Sequence, residues 1–344
     1  MRKFNVAIVG ATGAVGEEIL EVMRDLNFPL NDLLLLASKN SAGNKIDYKG
    51  TDYIVQELTT SSFEENDIDI AFFSAGGSIS EKFVPYAVDG GALVIDNTSH
   101  FRMDENVPLV VPEVNGNDIK KSQDCRIIAN PNCSTIQMVL SLKPLHDLYG
   151  IKRVDVSTYQ AVSGAGKEGM EELVTQMQDF FAFKLEDTKV EHFAHQIALN
   201  VIPQIDIPST NDFTKEEMKM VNETQKILGT KIQIAATCVR VPVLRSHSES
   251  LSVTFGDDVD VNIDEIRESF SSFEGLKLVD NLKTNQYPMP KLATSTDITY
   301  VGRIRKDLYS SNIVHYFNVA DQLRVGAATN SVKIALKYIE LEDY

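Results

Sequence analysis

Up to Ala129 the apolar residues fall in short, nearly unbroken runs, at Phe4–Val9, Leu33–Ala37, Ile68–Phe73, Ala92–Ile95 and Leu109–Val111. Runs this short and uniform predict strands buried on both faces of a parallel sheet. After the first run the period changes: Ala14–Asn27 sets Val15, Ile19, Leu20, Val22, Met23 and Leu26 on one helical face. Strand alternating with helix predicts an α/β, Rossmann-like doubly wound domain.

Beyond Cys133 the pattern is different. A strand at Arg153–Ala161 leads through a glycine-rich turn into a helix over Lys167–Phe181. Longer, more alternating runs at Ile232–Val243, Glu249–Phe255, Thr299–Arg305 and Ile313–Ala320 predict antiparallel strands, with Asp307–Ser311 as a hairpin turn. This is an α+β second domain. A last helix over Ala327–Ile339 is expected to pack back on the first domain. The expected boundaries are residues 1–128, joined by 327–344, for the first domain and 129–326 for the second.

Cys133 sits where the two patterns meet, in Ile128-Ala129-Asn130-Pro131-Asn132-Cys133-Ser134-Thr135. A β-type run, Arg126–Ala129, is halted by Pro131; Ile136, Val139, Leu140 and Leu142 then recur at helical spacing before Pro144. The thiol therefore lies at or beside a helix start, where backbone amides and the helix dipole favour thiolate over thiol. That describes a nucleophile. The competing reading is a small buried hydrophobe, the commoner fate of a free cysteine.

Composition narrows the class. The chain has 344 residues, 43% hydrophobic and 24% charged, enough for two domains with extensive cores. No apolar run approaches the roughly 20 residues of a membrane span, and Met1-Arg2-Lys3 runs into a strand without a signal region, so a cytoplasmic protein is expected. The formal charge of −16, without a Lys/Arg cluster, argues against nucleic acid. Anionic ligands must then be held by a few placed cations. Cys125, Cys133 and Cys238 are odd in number and form no C-x-x-C pair, so neither a disulfide framework nor a metal site is indicated.

Val6–Gly16 reads strand, glycine turn, helix. Gly10 permits the turn, Gly13 lets a pyrophosphate approach the backbone, and Gly16 seats the helix on the strand. The G-x-x-G-x-x-G spacing is one residue longer than the common dinucleotide fingerprint. Thr12, Ala14 and Val15 belong to the same cradle. The second strand ends in Ser38-Lys39-Asn40-Ser41-Ala42-Gly43, with no carboxylate for a ribose 2′-hydroxyl but with hydroxyls and a cation suited to a 2′-phosphate. NADP is favoured, with Ser38, Lys39 and Ser41 as its contacts.

At these motifs the chain resembles the aspartate-β-semialdehyde dehydrogenase family over essentially its full length. The likeness continues through Asn97–Met103, Val111–Asn115, Asn130–Thr135, Tyr159–Gly166, Lys215–Lys219, Arg240–Ser248 and Gly326–Asn330. The resemblance implies NADPH-dependent reduction of β-aspartyl phosphate to the semialdehyde with release of phosphate, feeding lysine, threonine and methionine synthesis. It implies Cys133 as nucleophile, His247 as acid/base and Gln160 as orienting residue. It also implies Arg240 for the substrate α-carboxylate, Glu216 for the ammonium, Arg102 and Lys219 for phosphate, and Asn132 beside the carbonyl. Ser163, Gly164 and Asn330 fall to the nicotinamide, and a homodimer or homotetramer is expected. Family relatives often carry Arg between the two serines of the 2′-phosphate loop, where this chain has Lys39-Asn40, which softens the preference for NADP over NAD.

Two rival readings remain. N-acetylglutamyl-phosphate reductase would share the glycine turn, the cysteine and the histidine, but an acetylated amine has no use for Glu216. A non-catalytic NADP-binding sensor would keep the fold without reason to keep Cys133, Gln160, Arg240 and His247 together.

Overall fold

The structure is a computed structural model that describes residues 2–342; Met1 and the last two positions of the expected C-terminal segment, 343 and 344, lie outside it. The chain divides into two compact units, one running to Asn132 and resuming at Ala327, the other spanning Cys133–Gly326.

In the first unit β1 (Phe4–Val9) passes through the glycine turn into α1 (Ala14–Asp25). There follow β2 (Leu30–Ala37), a hairpin of β3 (Lys45–Tyr48) and β4 (Thr51–Ile54), β5 (Gln56–Glu57), β6 (Ile70–Phe73), α2 (Gly77–Asp89), β7 (Leu93–Asp96), the short α3 (Pro112–Asn115) and β8 (Ile127–Ala129). Six strands form one sheet in the order β5-β2-β1-β6-β7-β8, and every pairing is parallel. Successive residues feed opposite faces: Val6, Ile8, Leu33 and Leu35 pack on one side, Ala7, Val9, Leu34 and Leu36 on the other. Where both faces are covered, as along Leu33–Ala37, apolar residues fill every position, which is why these runs read as unbroken. Ala328, Val332, Ala335 and Ile339 of the C-terminal helix join the first of those layers.

Leu109–Val111 departs from expectation. It is not a strand but makes an isolated bridge from Leu109 to Ala129. The side chain of Asn115 takes the place of a neighbouring strand, accepting from Val111 N at 2.9 Å and donating to Leu109 O at 2.9 Å. A buried backbone needs partners but does not require that they be a ladder.

The second unit opens with α4 (Cys133–Tyr149), then β9 (Arg153–Gln160), α5 (Gly166–Phe181), α6 (Lys215–Leu228), β10 (Gln233–Arg240), β11 (His247–Thr254), α7 (Ile263–Ser272), β12 (Leu276–Leu278), α8 (Pro290–Ala293), β13 (Thr299–Lys306) and β14 (Ile313–Ala320). A π-helical turn, Arg324–Thr329, precedes α9 (Asn330–Glu342). The sheet order is β10-β9-β11-β14-β13-β12. It is mixed rather than antiparallel throughout, because β9 pairs with β10 and β12 with β13 in parallel. Helix α4 continues past Pro144, where the spacing argument had stopped. Burial of Leu140, Leu142 and Leu145 around the proline outweighs the backbone bond it deletes.

Candidate active site

Three strand ends of the second unit meet at one end of the sheet. Gln160 closes β9, Arg240 closes β10 beside it in register, and His247 opens β11, which runs antiparallel to β9. Parallel neighbours followed by an antiparallel one put two C-termini and one N-terminus at the same edge. Residues scattered over 87 sequence positions are thereby neighbours.

His247 is fully buried. Its Nδ1 accepts the backbone N–H of Ala161 at 3.0 Å. An accepting Nδ1 has no proton, so the neutral ring carries its hydrogen on Nε2. Gln160 Nε2 lies 3.4 Å from that Nε2. Both atoms bear hydrogen, so the two side chains present parallel donors rather than bonding to each other. Burial, followed by the nearby Arg240 charge, pushes the imidazole pKa well below its usual value. Low basicity and an already engaged Nδ1 leave Nε2–H as the donor of the neutral ring.

Arg240 is buried, with Nη1 donating to Ala161 O at 2.7 Å. Burial pulls its pKa down, while the Glu216 carboxylate and then Cys133 pull it up. Gly164 makes the packing possible: a Cβ there would stand 2.9 Å from Arg240 Nη1 and 3.1 Å from His247 Nε2. Cys133, the first residue of α4, is matched by Gly326, where a Cβ would come within 2.8 Å of the cysteine Cβ. Gln137, one turn further along α4, reaches His247 O at 3.4 Å.

Glu216 is buried, accepting from Gln160 Nε2 at 3.1 Å and from Lys219 Nζ at 3.1 Å. Thr158 Oγ1 holds the other end of Gln160 at 3.0 Å. A capping box between Thr214 and Glu217 starts α6 and sets Glu216 and Lys219 on one face. Lys219 also donates to Asp206 at 2.8 Å. Burial lowers the Lys219 pKa, but Glu216 and Asp206 together outweigh it and hold the group above its usual value. A cleft opens beside Arg240, lined also by Asp206, Gln204, His192 and His195.

Asp206 was not singled out from sequence. Its one local signal is a left-handed backbone, φ 68°, which the string Gln204-Ile205-Asp206-Ile207 does not announce. Nor did the sequence signal that Ala161 would hold both Arg240 and His247 through its carbonyl and amide.

In the first unit Gly10 adopts φ +90°, and a Cβ at Gly16 would stand 2.2 Å from Gly10 O. Only glycine lets α1 sit this close to the strand. Gly13, the N-cap of α1, offers no side-chain cap, and Ala14 and Val15 follow it as the first helical residues. Thr12 Oγ1 approaches Ser41 Oγ at 3.4 Å, and Ser38 and Lys39 are exposed beside them. Arg102 is buried and donates to Asn130 O at 2.9 Å and Asn97 O at 2.7 Å, bracing the segment that carries buried Asn132.

Two residues expected at the nicotinamide also have partners within the protein. Both N–H groups of Asn330 are used, toward Val110 O at 2.9 Å and Asn130 Oδ1 at 2.7 Å, pinning α9 to the Asn130 segment. Ser163 is buried and its hydroxyl accepts from Gln322. Among the described residues no group of three or more His, Cys, Asp or Glu is placed to hold a metal ion, and no helix is long and apolar enough to cross a membrane.

A parallel-sheet unit with a glycine cradle, joined to a unit with a cysteine at a helix start and a buried histidine, defines a two-domain dehydrogenase with a cysteine site. Residues 5–122 match the model of the semialdehyde dehydrogenase NAD binding domain, and residues 142–325 that of its dimerisation domain. Aspartate-semialdehyde dehydrogenases from Campylobacter jejuni and Bacillus subtilis are 58% and 49% identical over 99% and 97% of each chain. The crystal structure of aspartate semialdehyde dehydrogenase II from Vibrio cholerae, complexed with ASA, superposes with a TM-score of 0.93 at 44% identity, covering 99% of both chains. The chain belongs to the aspartate-semialdehyde dehydrogenase family.

Proposed function

We propose that the chain reduces β-aspartyl phosphate to aspartate semialdehyde with NADPH through a thioester on Cys133, in the synthesis of lysine, threonine and methionine. The observation that carries this reading is the gathering of Cys133, Gln160, Arg240 and His247 in one unit, with Glu216 and Lys219 alongside. NADP fits the first unit: Gly10, Thr12, Gly13, Ala14 and Val15 form an uncapped helix start that a diphosphate complements, and Ser38, Lys39 and Ser41 offer hydroxyls and a cation to a 2′-phosphate. The solvent-facing loop tolerates either cofactor better than a loop with a fixed arginine would. Residues 1–128 with the last helix serve as the cofactor domain and 129–326 as the catalytic and dimerisation domain.

The Cys133 sulfur, favoured as thiolate by the α4 dipole and the Arg240 charge, attacks the acyl carbon. A C–S bond forms, the C–O bond to phosphate breaks, and phosphate leaves with that electron pair. When bound, NADPH supplies the hydride that brings the thioester carbon to the aldehyde level. The C–S bond then breaks and its electrons return to sulfur, regenerating the thiolate. No step requires a base. His247 therefore acts through its Nε2–H, donating to the carbonyl oxygen whenever negative charge builds there. An imidazolium would place an Nδ1–H against the Ala161 N–H, so assistance in thiol deprotonation does not suit this ring.

Arg240 grips the substrate carboxylate and Glu216 its ammonium, which favours a free amine over an acetylated one. Arg102 and Lys219 receive the phosphate, Lys219 exchanging Glu216 for it while keeping Asp206. Gln160 and Asn132 orient the acyl group. Gly164 serves the nicotinamide side through the space it leaves beside His247, and Ser163 and Asn330 are the other nicotinamide contacts. A homodimer formed through the second unit agrees with its exposed Phe181, Phe183, Leu199, Val201 and Ile207.

The test is NADP reduction by the purified protein with aspartate semialdehyde, with and without inorganic phosphate. Phosphate-dependent NADPH formation is expected; a folded, NADP-binding protein giving none would overturn the substrate assignment. A second measurement addresses the histidine. His247→Gln is expected to cost about 10²-fold in kcat without changing the pH profile through the usual imidazole range, about pH 6.5 to 7.5, because burial holds the wild-type ring below it. An inflection in that range that vanishes in the variant would return proton transfer to the imidazole.

A further inference from the structure

Beneath the strand end that carries His247 lies a buried polar cluster that the reaction does not use. Glu249, two residues along β11, is completely buried. Its Oε2 accepts from Asn318 Nδ2 of β14 at 2.9 Å. Gln137 of α4 donates through Nε2 to Asn318 Oδ1 at 2.9 Å. Asn318 Nδ2 also meets Ser141 Oγ at 3.1 Å, and that hydroxyl bonds Tyr316.

Two oxygens in this cluster are orphaned: Glu249 Oε1 and Gln137 Oε1. Both are acceptors when Glu249 is ionised, so neither satisfies the other. Turning the Gln137 amide over does not help, because its oxygen would then face His247 O and Asn318 Oδ1, both acceptors. The Gln137 side chain lies within reach of the carboxyl, so one proton on Glu249 would supply the donor that both orphans lack.

We propose that Glu249 is a positioning residue held as the neutral acid, its proton bridging Glu249 Oε1 to Gln137 Oε1. The bridge ties β11, just past His247, to α4, one turn below Cys133. It rests on the reading of those two residues as catalytic. Burial supports it by pushing the Glu249 carboxyl up to about 8, outweighing the nearby Asn318 and Gln137 amides, which favour the anion. Among the described residues no cation offsets that burial. The titratable groups that feel Glu249 are Tyr316 on β14 and Cys238 on β10, both raised by burial and kept protonated. From α4 it meets Gln137, and from β9 its register partner is Thr158; neither ionises.

The linkage has a definite sign. Between about 4.5 and 8 the folded state keeps a proton that the unfolded chain releases, so this contribution is full below that window and lost as pH rises through it. The melting advantage of Glu249→Gln over wild type should therefore widen across the window and level off above it. In turnover, Glu249→Gln, whose amide donates to Gln137 and accepts from Asn318, should recover most of what Glu249→Ala loses. Its kcat relative to wild type should rise about tenfold from pH 7 to 9 as the wild-type proton leaves. A ratio flat with pH, or Gln no better than Ala, would overturn the proposal.

Infrared spectroscopy of the wild-type protein decides the matter without a variant: the stretch of a buried carboxylic acid should be present at pH 7 and fade by pH 9. Its absence at pH 7 sinks the bridge. Its presence in a protein without dehydrogenase activity upholds the bridge and sinks the functional reading instead.

Discussion

Cys133→Ala is expected to abolish phosphate-dependent NADP reduction, with a loss of at least about 10⁴-fold in kcat, while NADP binding and melting temperature stay close to wild type. The reason is that the proposed reaction runs its covalent chemistry through Cys133. Without sulfur there is no thioester, and hydride has only the acyl phosphate itself to reduce. Removing the side chain beyond Cβ leaves the close approach of Gly326 untouched, and the thiol is only partly buried, so the fold should lose little. Two readouts check this: steady-state NADPH formation, and mass spectrometry of wild-type enzyme quenched with β-aspartyl phosphate in the absence of NADPH. A covalent adduct on Cys133 that disappears in the variant is the expected pair of results. An active variant, or an adduct on another residue, would end the thioester model.

Arg240→Lys should raise KM for aspartate semialdehyde about 10²-fold, with a smaller change in kcat. The loss corresponds to about 2–3 kcal/mol, the scale of a desolvated, charge-assisted pair. Arg240 is anchored by Nη1 on Ala161 O, which fixes the guanidinium plane and aims its other edge. A lysine ammonium can keep the anchor or meet a carboxylate, but it cannot do both from a fixed plane. Unchanged KM with a large fall in kcat would move Arg240 from substrate binding to the reacting carbon.

The parallel sheet was legible because burial on both faces leaves a mark on every strand residue, as Leu33–Ala37 shows. The glycine cradle was legible for a similar reason, since Gly10 and Gly16 are required by backbone contacts within a few residues. The Thr214–Glu217 capping box that starts α6 is just as local, though it was not read from the sequence. Less was visible where a remote group satisfies the backbone. Leu109–Val111 carries the apolar signature of a strand, yet an asparagine side chain fills the role of its neighbour. Asn330 reads as a polar residue near a helix start, and only the positions of Val110 and Asn130 show which acceptors its amide meets.

The sequence by itself determined the two kinds of domain, the cradle and the cysteine at a helix start, because each depends on residues close together in the chain. Hydrophobic period, turn glycines and helix caps act over a few residues and leave their pattern there. Tertiary structure alone decided which groups surround His247, where Lys219 is held, and what faces the buried Glu249. A tautomer depends on the partner of the other ring nitrogen, here an amide 86 positions away. A buried carboxyl depends on which oxygens from other elements face it. Such partners are chosen by sheet order and helix packing, and no local stretch of the chain encodes them.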